Sequence, residues 1–85
     1  MKSFEYQIRE NTGVSDRIAG LLVREAMKAI STVMVACNGK IGDAKRLFSV
    51  MAMHIQKGDK VSLLIEGEDE EKAALTLERF LHENL

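Results

Sequence analysis

Apolar and polar residues alternate at the start of the chain: Phe4, Tyr6 and Ile8 are set against Glu5, Gln7 and Arg9. This two-residue period predicts a strand with one buried face. Glu10-Asn11-Thr12-Gly13 breaks the alternation, and from Ile18 the period becomes helical. Ile18, Leu22, Ala26 and Ile30 fall on one stripe with Ala19 and Val23 beside it, while Arg24, Glu25 and Lys28 fall opposite. Ser15 is placed to cap this helix, and Asp16 suits the positive end of its dipole. Thr32 to Cys37 is β-branched and apolar, which predicts a second strand. Asn38-Gly39 is a strong hairpin signal, with Lys40 to Gly42 as the short returning strand. Asp43 is the expected cap of a short helix running through Ala44 to Met53. After a turn at Gln56 to Lys60, Val61 to Glu66 reads as a fourth strand, stopped by Gly67. The acidic run Glu68 to Glu71 then opens a last helix with Ala73, Ala74, Leu77, Phe80 and Leu81 on its buried stripe.

The order is β-α-β-β-α-β-α within one 85-residue domain, without repeats, low-complexity tracts or proline. Four strands and three helices in so short a chain predict an α+β fold, with helices covering one face of a mostly antiparallel sheet and water on the other. A hydrophobic content of 46% and a charged content of 29% argue against disorder. The net charge of −1 leaves no basic footprint for nucleic acid. The single cysteine, Cys37, cannot form an intramolecular bridge and reads as a small buried hydrophobe. No run approaches the roughly 18 apolar residues of a membrane span, and the alternating N-terminus lacks a signal peptide's apolar core. The expected setting is the cytoplasm. His82 has no second histidine at ligand spacing, and "EGEDEE" lacks a calcium loop's pattern, so no metal or cofactor is expected. Met27, Met34, Met51 and Met53 are expected to fill gaps in a core poor in aromatics.

In element order and length the chain resembles the HPr family, the small phosphocarriers of the bacterial phosphoenolpyruvate-dependent sugar phosphotransferase system. The resemblance rests on "TG" before the first helix, Arg17 and Ala19 within it, "LLVREA" along it, "NGK" at the hairpin, "LFSVMAM" in the second helix and the closing "GEDEE". It implies an open-faced β-sandwich of HPr type. It also implies a phosphoryl group accepted on a histidine at the start of the first helix and passed on to sugar-transport proteins. Family members read "GxHARPA" there, whereas this chain reads "GVSDRIA". Ser15 stands at the phosphohistidine position, Asp16 at that of the following alanine and Ile18 at that of the proline. Arg46 occupies the place of the regulatory serine carried by many Gram-positive members.

The substitution at residue 15 changes the chemistry. Protonated imidazole is a good neutral leaving group, so phosphate on nitrogen transfers readily, whereas phosphate on serine leaves an alkoxide behind. Ordinary carriage is therefore not expected. His54 and His82 lie elsewhere in the sequence. Asp16 and Arg17 remain anion-site candidates at the helix start, with Asp16 opposing a second anion and standing as a fixed negative charge in its place. A simple helix cap is the plainer reading. If Val50 and Met53 turn inward, Leu47, Phe48 and Met51 share an outward face and, with Arg17, form a protein-binding patch at the positions by which HPr proteins are recognised. Burial of Phe48 over the core edge is the opposing reading.

The expected function is a binding or regulatory module for phosphotransferase-system or regulatory proteins. One alternative is phosphorylation of Ser15 by a protein kinase; another is a phosphocarrier-family protein linked to sugar transport by homology alone. An enzyme built on Ser15 and Asp16 is not expected, because neighbours at a helix cap rarely supply a nucleophile with its base.

Overall fold

A computed structural model describes every residue, Met1 to Leu85. The elements follow in the expected order: β1 (Lys2–Gln7), α1 (Asp16–Met27), β2 (Thr32–Cys37), β3 (Lys40–Asp43), α2 (Leu47–Met51), β4 (Lys60–Glu66) and α3 (Glu70–Asn84). The strands form one sheet in the order β1-β4-β2-β3. Every neighbouring pair is antiparallel, with Phe4 opposite Leu63, Val35 opposite both Leu63 and Gly42, and Met34 opposite Leu64. β2 and β4 lie in the middle, and their odd-numbered residues Val33, Val35, Cys37, Val61, Leu63 and Ile65 are buried beneath the helices. The even-numbered residues Met34, Ala36, Ser62 and Leu64 face the other way and are only half-buried. The sheet therefore has one covered face and one open face, an open-faced α+β sandwich.

The helices close the core with the apolar stripes that the period predicts. Ile18, Ala19, Leu22 and Ala26 of α1 and Ala73, Leu77, Phe80 and Leu81 of α3 are buried. Truncating a site such as Leu63, 1% exposed, to Ala should cost about 2–5 kcal/mol through lost transfer energy and the cavity left behind. The β2–β3 hairpin turns on Asn38 (φ +53°) and Gly39 (φ +78°), the paired left-handed conformation that makes Asn-Gly favourable there. Cys37 is buried, and loss of hydration followed by the Asp59 charge pushes its thiol pKa up, in keeping with a packing role.

Four expectations are corrected. α1 ends at Met27, so Ile30 is not on its stripe but lies in the α1–β2 connection, 70% exposed. Its backbone N–H donates to Asp69 instead of continuing the helix. Met27 is 65% exposed and Met34 half-buried on the open face, so only Met53 of the four methionines is buried, with Met51 packed against the core margin. α2 is a short Leu47–Met51 turn of helix and not a helix over 44–53. Asp43 does not cap it: Asp43 ends β3 and accepts from Lys45 N at 2.9 Å, while α2 begins after Arg46 with no side-chain cap.

One long-range polar cluster ties the α1–β2 connection to α3. Ser31 is 1% exposed, and its N–H and hydroxyl both donate to Oδ1 of Asp69. Oδ2 of the same carboxylate accepts from Ile30 N at 3.0 Å. These bonds, led by the Ser31 hydroxyl, hold the Asp69 pKa below its ordinary value. Lys45 Nζ donates to the carbonyl of Ala29 at 2.7 Å, covering an acceptor just past the end of α1.

Candidate site at the start of the first helix

Ser15 takes up the capping role that its residue type invites. Its backbone is extended, its carbonyl accepts from Ala19 N at 2.8 Å, and its Oγ accepts from Ile18 N at 3.3 Å. The hydroxyl is thus engaged with the helix terminus, and no histidine or carboxylate bonds to it. Asp16 in the first turn and Arg17 beside it are exposed, and neither belongs to any of the three ion pairs of the molecule.

The loop carrying Ser15 is pressed against the segment that follows α2. Val14 N donates to the carbonyl of Ile55 at 3.0 Å. Gly13 makes this approach possible. Its φ is +62°, and a Cβ there would lie 2.5 Å from the Ile55 carbonyl oxygen and 2.7 Å from Gln56 Cα, both main-chain atoms. The residue before Ile55 is His54, exposed and itself left-handed at φ +49°. The fold therefore brings His54, some forty positions away in sequence, onto the segment that adjoins the Gly13–Ser15 loop. The sequence carries no local signal for this meeting, apart from a glycine two residues before the helix cap.

α2 contributes the apolar part of the same surface. Val50 (1% exposed) and Met53 (4%) turn inward, whereas Phe48 is 80% exposed and Leu47 38%. Phe48 does not fold over the core edge. Met51 is the exception within the expected outward trio, since it packs partly against the core. Arg46 stands exposed at the N-cap of α2. A short helix, a tight loop and a helix start thus present an aromatic ring, an aliphatic side chain, an imidazole and a guanidinium without the enclosed, base-backed serine of a hydrolase.

A family model described as the PTS HPr component phosphorylation site matches residues 2–83. The chain belongs to the HPr family. Among its relatives, the HPr-like protein Crh of Bacillus subtilis is 33% identical over 79 residues, covering 93% of each chain. The solved structure of the histidine-containing phosphocarrier protein of Mycoplasma superposes with a TM-score of 0.93 at 28% identity, over 96% of this chain and 93% of the other. The solution structure of Crh, described as the Bacillus subtilis catabolite repression HPr, gives a TM-score of 0.70 at 31% identity, over 99% and 100%. The HPr family is one of phosphocarriers and HPr-like proteins, which fixes the fold and the broad setting of this chain. No helix in it is long and apolar enough to cross a membrane.

Proposed function

We propose that this HPr-family protein is a cytoplasmic docking or regulatory module. In this reading, partners recognise Arg17 and the surface of Leu47, Phe48 and Met51, and no phosphoryl group is relayed through residue 15. The observation that carries the reading is the contrast between an aromatic ring 80% exposed on α2 and a Ser15 hydroxyl used as a helix cap. An exposed Phe contributes nothing to the core and supplies the apolar anchor that protein interfaces favour. Serine at residue 15 cannot return phosphate near neutral pH as imidazole does. Asp16 adds a carboxylate where an incoming phosphoryl anion would sit. Arg46, where many Gram-positive members carry a regulatory serine, removes that modification from the surface. The likeness to Crh, whose description couples HPr with catabolite repression, accords with a regulatory role.

The test is incubation with the phosphoenolpyruvate-dependent phosphotransferase and labelled phosphoenolpyruvate. No acid-labile label is expected on the protein. Acid-labile label would overturn the reading, and its loss in His54→Gln would move the acceptor to His54, on the segment that adjoins the Gly13–Ser15 loop. Acid-stable label on Ser15 after kinase treatment would favour the kinase alternative, against which the engaged hydroxyl and Asp16 both weigh. Phe48→Ser should leave the unfolding midpoint unchanged while weakening capture of HPr-binding proteins by tenfold or more.

A further inference from the structure

α3 and β1 run side by side in the same direction: Lys2 reaches Glu71 at 3.7 Å, and the Tyr6 ring meets that of His82 at 4.9 Å between centroids. Between them lies a groove of about 370 Å³ whose lining includes Phe4, Ala74, Leu75 and Glu78, with Leu75 66% exposed. The groove borders an unpaired main chain, because β1 joins only β4. The bond from Ile8 N to Asp59 O continues the β1–β4 ladder and sets its phase. Lys2, Phe4 and Tyr6 therefore turn their N–H and C=O groups toward β4, and those of Ser3, Glu5 and Gln7 point outward. Two carboxylates flank the place, half-buried Glu78 on the helix side and exposed Glu5 on the open face, and neither belongs to an ion pair. α2 packs against β3 at the other edge of the sheet, so this groove is separate from the surface of Arg17 and Phe48.

We infer that this groove takes an extended, cationic segment of another protein, laid antiparallel to β1, with one apolar side chain seated between β1 and α3. Recognition of this kind draws affinity from the main chain and specificity from the pockets for alternate side chains. The outward groups of Ser3 and Glu5 supply the main-chain bonds. A segment residue opposite Phe4 then stands at a non-hydrogen-bonded position on the helix side, where it meets Phe4, Ala74 and Leu75. The residue before it lies opposite Glu5 on the open face. The one before that lies opposite Tyr6, level with the turn of α3 between Glu78 and His82. Glu5 and Glu78 both lack a cation, so both places favour Lys or Arg. Beyond the anchor, Lys2 is already paired with Glu71 and asks for no charge. The sequence recognised is a basic pair followed directly by a large apolar residue. A one-residue slip would turn that residue out onto the open face.

The probe is the blocked peptide Thr-Lys-Arg-Leu-Thr-Ser, titrated into isotope-labelled protein. It should bind with a Kd of roughly 0.1–1 mM, shift the amide signals of Ser3, Glu5 and Leu75, and slow hydrogen exchange at Ser3 and Glu5. The peptide with both basic residues replaced by Glu should bind about tenfold more weakly or worse. Glu5→Pro removes an N–H that β4 does not use, along with the carboxylate, and should weaken binding by about tenfold or more. Glu78→Lys leaves β1 untouched and should weaken it about fivefold. The peptide with Glu in place of its Lys should then bind that variant to within about threefold of the original pair. No binding at about 1 mM overturns the inference, as does binding indifferent to Glu78→Lys or equal affinity for the acidic peptide. Shifts gathered at Phe48 would put the peptide on α2 and overturn it. So would Ser3 and Glu5 amides slowed by protein concentration alone, since a second copy would then hold the edge.

Discussion

α1 and α3 both begin beside an aspartate, and the two carboxylates do opposite things. Asp69, before α3, accepts from Ile30 N, Ser31 N and the Ser31 hydroxyl, and so fastens α3 to a connection nearly forty residues earlier in the chain. Asp16, in the first turn of α1, is exposed and belongs to no ion pair. The start of α1 is fastened instead by main chain, through the contact of Gly13 with Ile55 and Gln56 and the bond from Val14 to Ile55. A helix start held by a side chain is committed to structure. One held by its backbone leaves its side chains free for partners, and that freedom is what makes Asp16 and Arg17 candidate surface groups.

The contrast can be broken most forcefully at Gly13. Gly13→Ala should lower stability by about 2–4 kcal/mol, because the new methyl meets main-chain atoms and a positive φ at once. Chemical denaturation measures this, and a loss under about 1 kcal/mol would refute the close approach. Asp69→Asn comes next, lowering the unfolding midpoint by several degrees at neutral pH. Its pH dependence has a definite sign. The Asp69 pKa is lower in the folded state than the ordinary 3.8, so the stabilisation is complete above that value and fades as pH falls through the lower folded one. The gap between wild type and Asp69→Asn should therefore be constant above about pH 5 and shrink below about pH 4.

Smaller changes sharpen the comparison. His54→Gly should raise stability by about 0.5–1 kcal/mol by relieving a left-handed φ, while leaving the Gly13 contact in place. Ser15→Ala should cost about 0.5–1 kcal/mol, the ordinary loss of a helix cap. Asp16→Ala should cost about 0.3–0.5 kcal/mol, the share of an exposed charge at a helix dipole, and act chiefly on binding. A midpoint shift comparable with that of Asp69→Asn would show that the two aspartates are alike after all.

The stripes of α1 and α3, the Asn-Gly turn and the alternation in β2 and β4 were legible because each depends on residues a few positions apart. The failures share a different cause. Ile30 continues the helical spacing of α1, but its N–H is taken by Asp69, so the helix ends without any change in pattern. Asp43 has the residue type of a cap, yet β3 extends through it to pair with Met34. Met27 is apolar but falls on the solvent side of α1. At the site, Ser15 as a cap was evident in the sequence, because a cap is a local device. The exposure of Phe48 was one of two readings that the pattern left open, and only the direction of Val50 and Met53 into the core decided it.

Local periodicity and residue chemistry were enough for the order of elements, the buried stripes and a serine as the cap of the first helix. The tertiary structure alone decided which aspartate is a fastening and which a surface charge, that His54 adjoins the Gly13–Ser15 loop, and that β1 is left with an open edge. Those outcomes depend on which distant segments meet, and packing fixes that jointly for the whole chain. No short window of residues contains it.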